Sequence, residues 1–380
     1  MSFSFEKVFS FFLVVVVYLL FSFKNVQAYD ETTTSINNSS IKGEIIDVNF
    51  SFTPCRVTVK LLQGNHQGIS IILENDLETS SDNPINLKVG DKVIVYLNYD
   101  EKGNPINGHI SQYIREVPLL ALSFAFLLLI LIIGGFKGFK AIITLIITAV
   151  AILKYFLPSL LDGKNPFSYS IYTCILITFA TLLILNGFHK KTFVAIMGTC
   201  GGVLVAGIIS KIVISVAHLS GFSEDESFIL SSLPISSPLD FRGLLFAGII
   251  LGALGAVMDV SMSIASALNE LKILNPDLSL KDLRKSGFNV GKDIMGTMSN
   301  TLILAYVGGS MNVLLLYMVY NTNFMEVINN QIIFSEILRS LAGSIGLILT
   351  IPITIFTYLF LEKISQKNMK SSTYKKNLRV

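Results

Sequence analysis

GLLFAGIILGALGAVMDVSMSIASALNELKILNPDLSLKDLRKSGFNVGKDIMGTMSNTLILAY, residues 243–306, decides how this chain is read. Two apolar, glycine-rich segments flank a short charged connector, and Asp259 sits near the middle of the first. An ionised carboxylate at bilayer depth costs several kcal/mol unless it is paired or hydrated, so it asks for a functional explanation. Ser263, Ser266 and Glu270 follow Asp259 four, seven and eleven residues on, which sets all four on one helical face with Asn269 beside them. The second segment repeats the pattern with Asp293, Thr297 and Asn300. Helices joined by a short loop are antiparallel neighbours, so the two polar faces are expected to meet inside a bundle.

Composition points the same way. Hydrophobic residues make up 52% and charged residues 14% of the 380-residue chain, and mean hydropathy is +0.64. A soluble domain averages about 25% charged residues. Seven apolar segments reach the length that a bilayer crossing requires, near 117–135, 139–161, 168–186, 193–217, 243–268, 295–320 and 337–361. Ahead of them, Lys7, the apolar run 8–23 and Val26-Gln27-Ala28 read residues 1–28 as a signal peptide or signal anchor.

Basic residues orient the segments. With 29–116 outside, Lys137, Lys140, Lys190, Lys191, Lys272, Lys281, Arg284, Lys285 and Lys292 all fall in inner loops. The basic tail 362–380 is then cytoplasmic, and the outer loops keep only Lys164, Arg242 and Arg339. The lipid bilayer is thus the first partner of the chain, and the plasma membrane its expected location.

The exported part divides into a Thr-, Ser- and Asn-rich flexible linker, 29–40, and a domain at 41–116. GEIIDVNF, RVTVKLL, GISIIL, DKVIVYL and GHISQYI alternate apolar and polar residues and are bounded by Gly, Asn and Asp. Five such strands predict a small closed all-β barrel of the OB type. It lacks a basic, aromatic stripe, and the net charge is only +3, so nucleic acid is not expected as a partner.

No enzyme is expected. Gly287-Phe-Asn-Val-Gly291-Lys292-Asp293 superficially resembles a phosphate-binding loop, but it is one residue short and carries Asp293 where a hydroxyl is needed. The four histidines are scattered without metal-ligand spacing, and Cys55 is alone in the exported part. No cofactor is called for.

GLLFAGIILGALGAVMDVSMSIASALNEL, RKSGFNVGKDIMGTMSNTLILAYVGG and the earlier GGFKGFKAIITL at 134–145 resemble the YibE/F-like family of bacterial multi-pass membrane proteins. The order of exported β-rich domain and helical bundle fits as well. The resemblance implies an integral bacterial membrane protein with a transmembrane bundle at 117–361; it brings no reaction with it.

The polar positions therefore carry the functional reading. Asp259, Ser263, Ser266, Asn269, Asp293, Thr297 and Asn300 are expected to line a pathway for a small solute or ion between the helices at 243–268 and 295–320. Lys211 is a candidate charge partner for Asp259; a structural ion pair is the competing reading. Gly248, Gly252 and Gly255, with Gly198, Gly201, Gly202 and Gly207 in the fourth segment, are expected to allow close helix approach. The connector 270–292 has Leu280, Leu283 and Phe288 on one side and Lys281, Arg284 and Lys285 on the other. It is read as an amphipathic helix on an anionic inner leaflet, or as a docking site for a cytoplasmic partner. Two functions follow: a permease or exporter, or a non-transporting envelope scaffold or accessory subunit that binds a partner through its exported domain.

Overall fold

The computed structural model describes residues 39–49, 55–64, 66–75, 87–99, 105–222, 239–319 and 323–377. The signal segment lies outside these residues, as does the linker up to residue 38. They fall into two compact units that divide between Ile132 and Ile133.

The first unit holds five antiparallel strands: β1 (Ser39–Asn49), β2 (Cys55–Leu61), β3 (Ser70–Asn75), β4 (Lys92–Tyr99) and β5 (Pro105–Tyr113). They form one sheet in the order β3-β2-β1-β4-β5. The period-2 pattern is obeyed: Val57, Val59 and Leu61 of β2 and Val93, Val95 and Leu97 of β4 all point into a shared core with Ile45, Leu73 and Ile110. A bulge at Ile46 breaks the β1–β2 register, and two irregularities break β4–β5. Bulges increase local twist, and the sheet curls. Gly108 allows the closest approach, since any side chain there would strike the Tyr96 carbonyl and Leu97. The expectation of a closed barrel is corrected to a curled half-barrel. β3 and β5 come near each other without a ladder between them among the described residues, because β3 is only six residues long.

The other expected spans are helical. α1 (Glu116–Val150) continues through a π-helical stretch (Ala151–Phe156) into α2 (Leu157–Leu161). Inside α1, Gly135 has φ 51° and ψ −128°, a conformation that glycine adopts freely, so two helical arms join there without a loop. α3 (Pro166–Asn186) is capped by Asn165, whose Oδ1 accepts from the Phe167 amide at 2.9 Å, with Pro166 at the first helical position. α4 (Lys190–Val216) follows. α5 (Phe241–Leu274) is capped by Asp240, and α6 (Leu280–Gly309) by Ser279. α7 (Met311–Val319), α8 (Phe324–Asn329) and the 47-residue α9 (Gln331–Asn377) complete the chain.

Among the described residues, five helical runs are long and apolar enough to cross a membrane, or six if the bent pair α6–α7 is one span. Seven were expected. The difference arises because 116–161 is one continuous helical run and because 280–319 is broken by a 61° bend at Ser310.

α5 is the centre of the second unit, with α3, α4, α6 and α9 packed on it. Small residues draw three helices together. Side chains at Gly198 and Gly202 of α4 would collide with the Thr354 and Thr350 hydroxyls of α9. Ser261 of α5 donates to the Ala195 carbonyl at 2.7 Å and lies 3.1 Å from Thr354 Oγ1. Such contacts hold helices where apolar lipid supplies no hydrophobic drive. The connector reading is also corrected. Leu283 is fully buried, with Leu280 and Phe288 packed beside it, and Gly287 meets Ile355 and Leu268. Its apolar side lies on the bundle rather than on a leaflet, while Lys281, Arg284 and Lys285 remain exposed.

Candidate functional site

The two predicted polar faces lie on neighbouring helices. Gly252 of α5 faces Tyr306 of α6, and Leu268 faces Gly287, so the helices run antiparallel with Asp259 level with the Gly296–Ser299 turn. Asp259 is residue 19 of the 34 in α5, roughly 27 Å from its start by a 1.5 Å rise per residue. Asp259, Ser263, Asp293, Thr297 and Asn300 are exposed, and Ser266 and Asn269 are half-buried. Two stripes at similar depth therefore lie on the outside of the unit rather than around a closed cavity. The Thr297 hydroxyl donates to the Ile294 carbonyl, and Thr301 to that of Thr297, so these two are satisfied within their own helix.

Lys211 does not reach Asp259. Its ammonium sits 5.6 Å from the Phe167 ring centroid. Gly207 packs on Phe246 and Ile250, and Gly198 on Ser261, which puts Lys211 about eleven residues, or roughly 16 Å, along the helix axis from the level of Asp259. Among the described residues, no cationic side chain lies within 4.0 Å of that carboxylate.

The glycines divide. Gly198, Gly201, Gly202 and Gly207 pack tightly against Thr354, Ile353, Thr350 and Phe246. Gly252 meets only the Tyr306 hydroxyl end, Gly248 lies 3.7 Å from the Arg339 guanidinium (as a methyl group would), and Gly255 has open space around it. Gly255 is therefore not a helix-packing residue within one chain.

Two charged clusters escaped the sequence reading. Glu362 of α9 is 7% exposed and pairs with Lys190 of α4, with Lys272 of α5 3.7 Å away. Gln366 donates to its other oxygen side, and Lys190 also lies 4.8 Å from the Tyr358 ring centroid. The lysines fall in expected inner loops and the acid at the start of the basic tail 362–380, so nothing local linked them. Near the start of α9, Arg339 pairs with Glu336 at 3.4 Å and stands 5.9 Å from the Tyr306 ring centroid. Arg339 had been read as an outer-loop residue; α9 begins at Gln331 and so carries it two turns into the helix. The i, i+3 spacing of Glu336 and Arg339 was the available signal.

A β half-barrel followed in the chain by several apolar helices that carry charges in mid-helix defines a multi-pass membrane protein. Residues 122–363 match the YibE/F-like protein family, and 51–113 match the YibE/F family N-terminal domain. The chain belongs to the YibE/F-like family. No curated protein and no solved structure matches it.

Proposed function

We propose that this protein is a permease or exporter of a small solute or ion in the bacterial plasma membrane, with 29–116 outside and the C-terminus cytoplasmic. The observation that carries the reading is Asp259 in the middle of α5, with no cation beside it among the described residues and level with the polar stripe of α6. A mid-span carboxylate facing lipid alone is untenable, so this face must meet water or another polar surface. Asp259, Ser263, Ser266, Asn269, Asp293, Thr297 and Asn300 are the residues of that path. The orientation rests on the basic loops, and seven crossings follow if the chain turns at Gly135. α3, α4, α5, α6 and α9 then alternate in direction and leave 116–161 to cross twice.

A second reading, a non-transporting scaffold or accessory subunit, is favoured by one observation: the centre of the bundle is closed by apolar side chains around α5. The exposed stripe would then hold a partner protein.

The test compares solutes gained or lost by cells with and without the protein, with Asp259→Asn as control. Transport predicts an altered solute pool that Asp259→Asn abolishes at normal membrane abundance. An unchanged pool with a co-purifying partner lost in Asp259→Asn would replace transport by the scaffold reading.

A further inference from the structure

The first half of α6 carries a basic side that the bundle leaves open. Lys281, Lys285, Phe288 and Lys292 follow one another at spacings of four, three and four, so they share one stripe of the helix. Arg284 lies one turn before Phe288 and borders the stripe. These four basic residues are exposed, and none forms an ion pair among the described residues.

Phe288 marks where the basic side meets α9. Its ring meets that of Phe356 edge-on, with centroids 6.1 Å apart. Gly287 packs on Ile355 and Gly291 on Ile351, so the two helices run antiparallel and Phe356 lies level with Lys285 and Ser286. Phe356 is 54% and Phe360 65% exposed, although both stand at the level of charged neighbours. The same stripe of α9 ends in exposed Lys363 on one side and runs through Leu349 and Ile345 on the other. The nearby carboxylates are engaged elsewhere: Glu362 turns to Lys190 and Lys272, and Asp282 is held by Ser279.

The groove between α6 and α9 thus has a basic wall and an aromatic wall. Water alone would suit the ammonium groups and leave the rings wet, whereas lipid tails alone would leave the charges unmatched. Basic pockets between membrane helices suit anionic lipid headgroups. α6 stands upright along α9, so its stripe climbs about 16 Å from Lys281 to Lys292 instead of lying in one headgroup plane. The apolar stem of Lys292 allows its ammonium to reach back toward that plane.

We propose that this groove binds one anionic phospholipid of the adjoining leaflet. Its phosphate sits among Lys281, Lys285 and Lys363, flanked by Arg284 and Lys292, and an acyl chain runs over Phe356 toward Leu349 and Ile345. The inference does not rest on the transport reading. Asp293 is one residue from Lys292 and so about 100° round the helix, on the other exposed face.

The experiment titrates the full-length protein in detergent with phosphatidylglycerol and with phosphatidylcholine of the same chains, and counts retained lipid by native mass spectrometry. Phosphatidylglycerol is expected to bind at least tenfold more tightly. The double change Lys281→Gln with Lys285→Gln should bring the two lipids within about threefold of each other, since each basic residue adds to the attraction. Lys137→Gln with Lys140→Gln removes the same charge elsewhere and should leave the preference intact. Phe360→Gln keeps the charges, alters an exposed wall position and should weaken phosphatidylglycerol at least threefold. Equal affinity of the native protein for the two lipids would overturn the proposal. So would an equal loss in the Lys137/Lys140 control, or an unchanged preference in both groove variants. Displacement of the lipid by equimolar glycerol phosphate would reassign the groove to a soluble phosphate, and displacement by polyglutamate to an acidic protein; either result overturns it.

Discussion

Glu362 shows how much one carboxylate can organise. It is nearly buried, yet it meets Lys190, Lys272 and Gln366, from three different helices in all. Removing one partner of a buried pair costs roughly 3–5 kcal/mol; Lys190 keeps 31% of its side-chain surface exposed, so a smaller figure applies here. Glu362→Gln should therefore destabilise the protein by roughly 2–3 kcal/mol. Denaturation in detergent, followed by tryptophan-free tyrosine fluorescence or circular dichroism, would register it; an unchanged midpoint would remove the clamp from the account. At this scale the sequence was informative about residues that break a local rule. Asp259 stood out because a charge interrupts an apolar run. Glu362 did not, because it borders a basic tail, and its lysines are 172 and 90 residues away in the chain.

Helix packing depends on positions whose neighbours the sequence does not reveal. Gly202 and Gly255 both lie in small-residue runs of apolar segments, and both were read as packing sites. Only Gly202 faces another helix, with the Thr350 hydroxyl and the Gly346 carbonyl in the space a methyl group would take. Gly202→Ala is expected to cost roughly 1–3 kcal/mol, as overpacking does. Gly255→Ala should stay within about 0.5 kcal/mol, as at open positions. Equal midpoints for the two variants in a thermal melt would refute the distinction. The five strands were legible to within a few residues because period-2 alternation is a local signal, although β1 begins at Ser39, inside the expected linker. Closure of the barrel was not, since it depends on whether the two edge strands are long enough to pair. Likewise the connector's amphipathic pattern was readable, but which surface takes its apolar side was decided by tertiary contacts, with Leu268 of α5 and with Ile355 far away in sequence.

At the scale of the whole chain, the count of crossings fixes on which side each end lies. Cysteines introduced singly at Ser40, Lys137 and Ser372 should label from outside, inside and inside respectively. Labelling of Ser40 and Ser372 from the same side would mean that 116–161 crosses once and that Gly135 is a kink rather than a turn. The Glu362 clamp has a mechanical corollary for the helical unit. α4, α5 and α9 are pinned to one another at a single level, near one end of α4 and of α5 and about two thirds of the way along α9. Three rods fastened at one level keep a fulcrum there, and their far ends have the longer lever arms. Any rearrangement of the unit would move least around Lys190 and Lys272 and most at the bend beside Ser310, where small rotations at the pin are amplified.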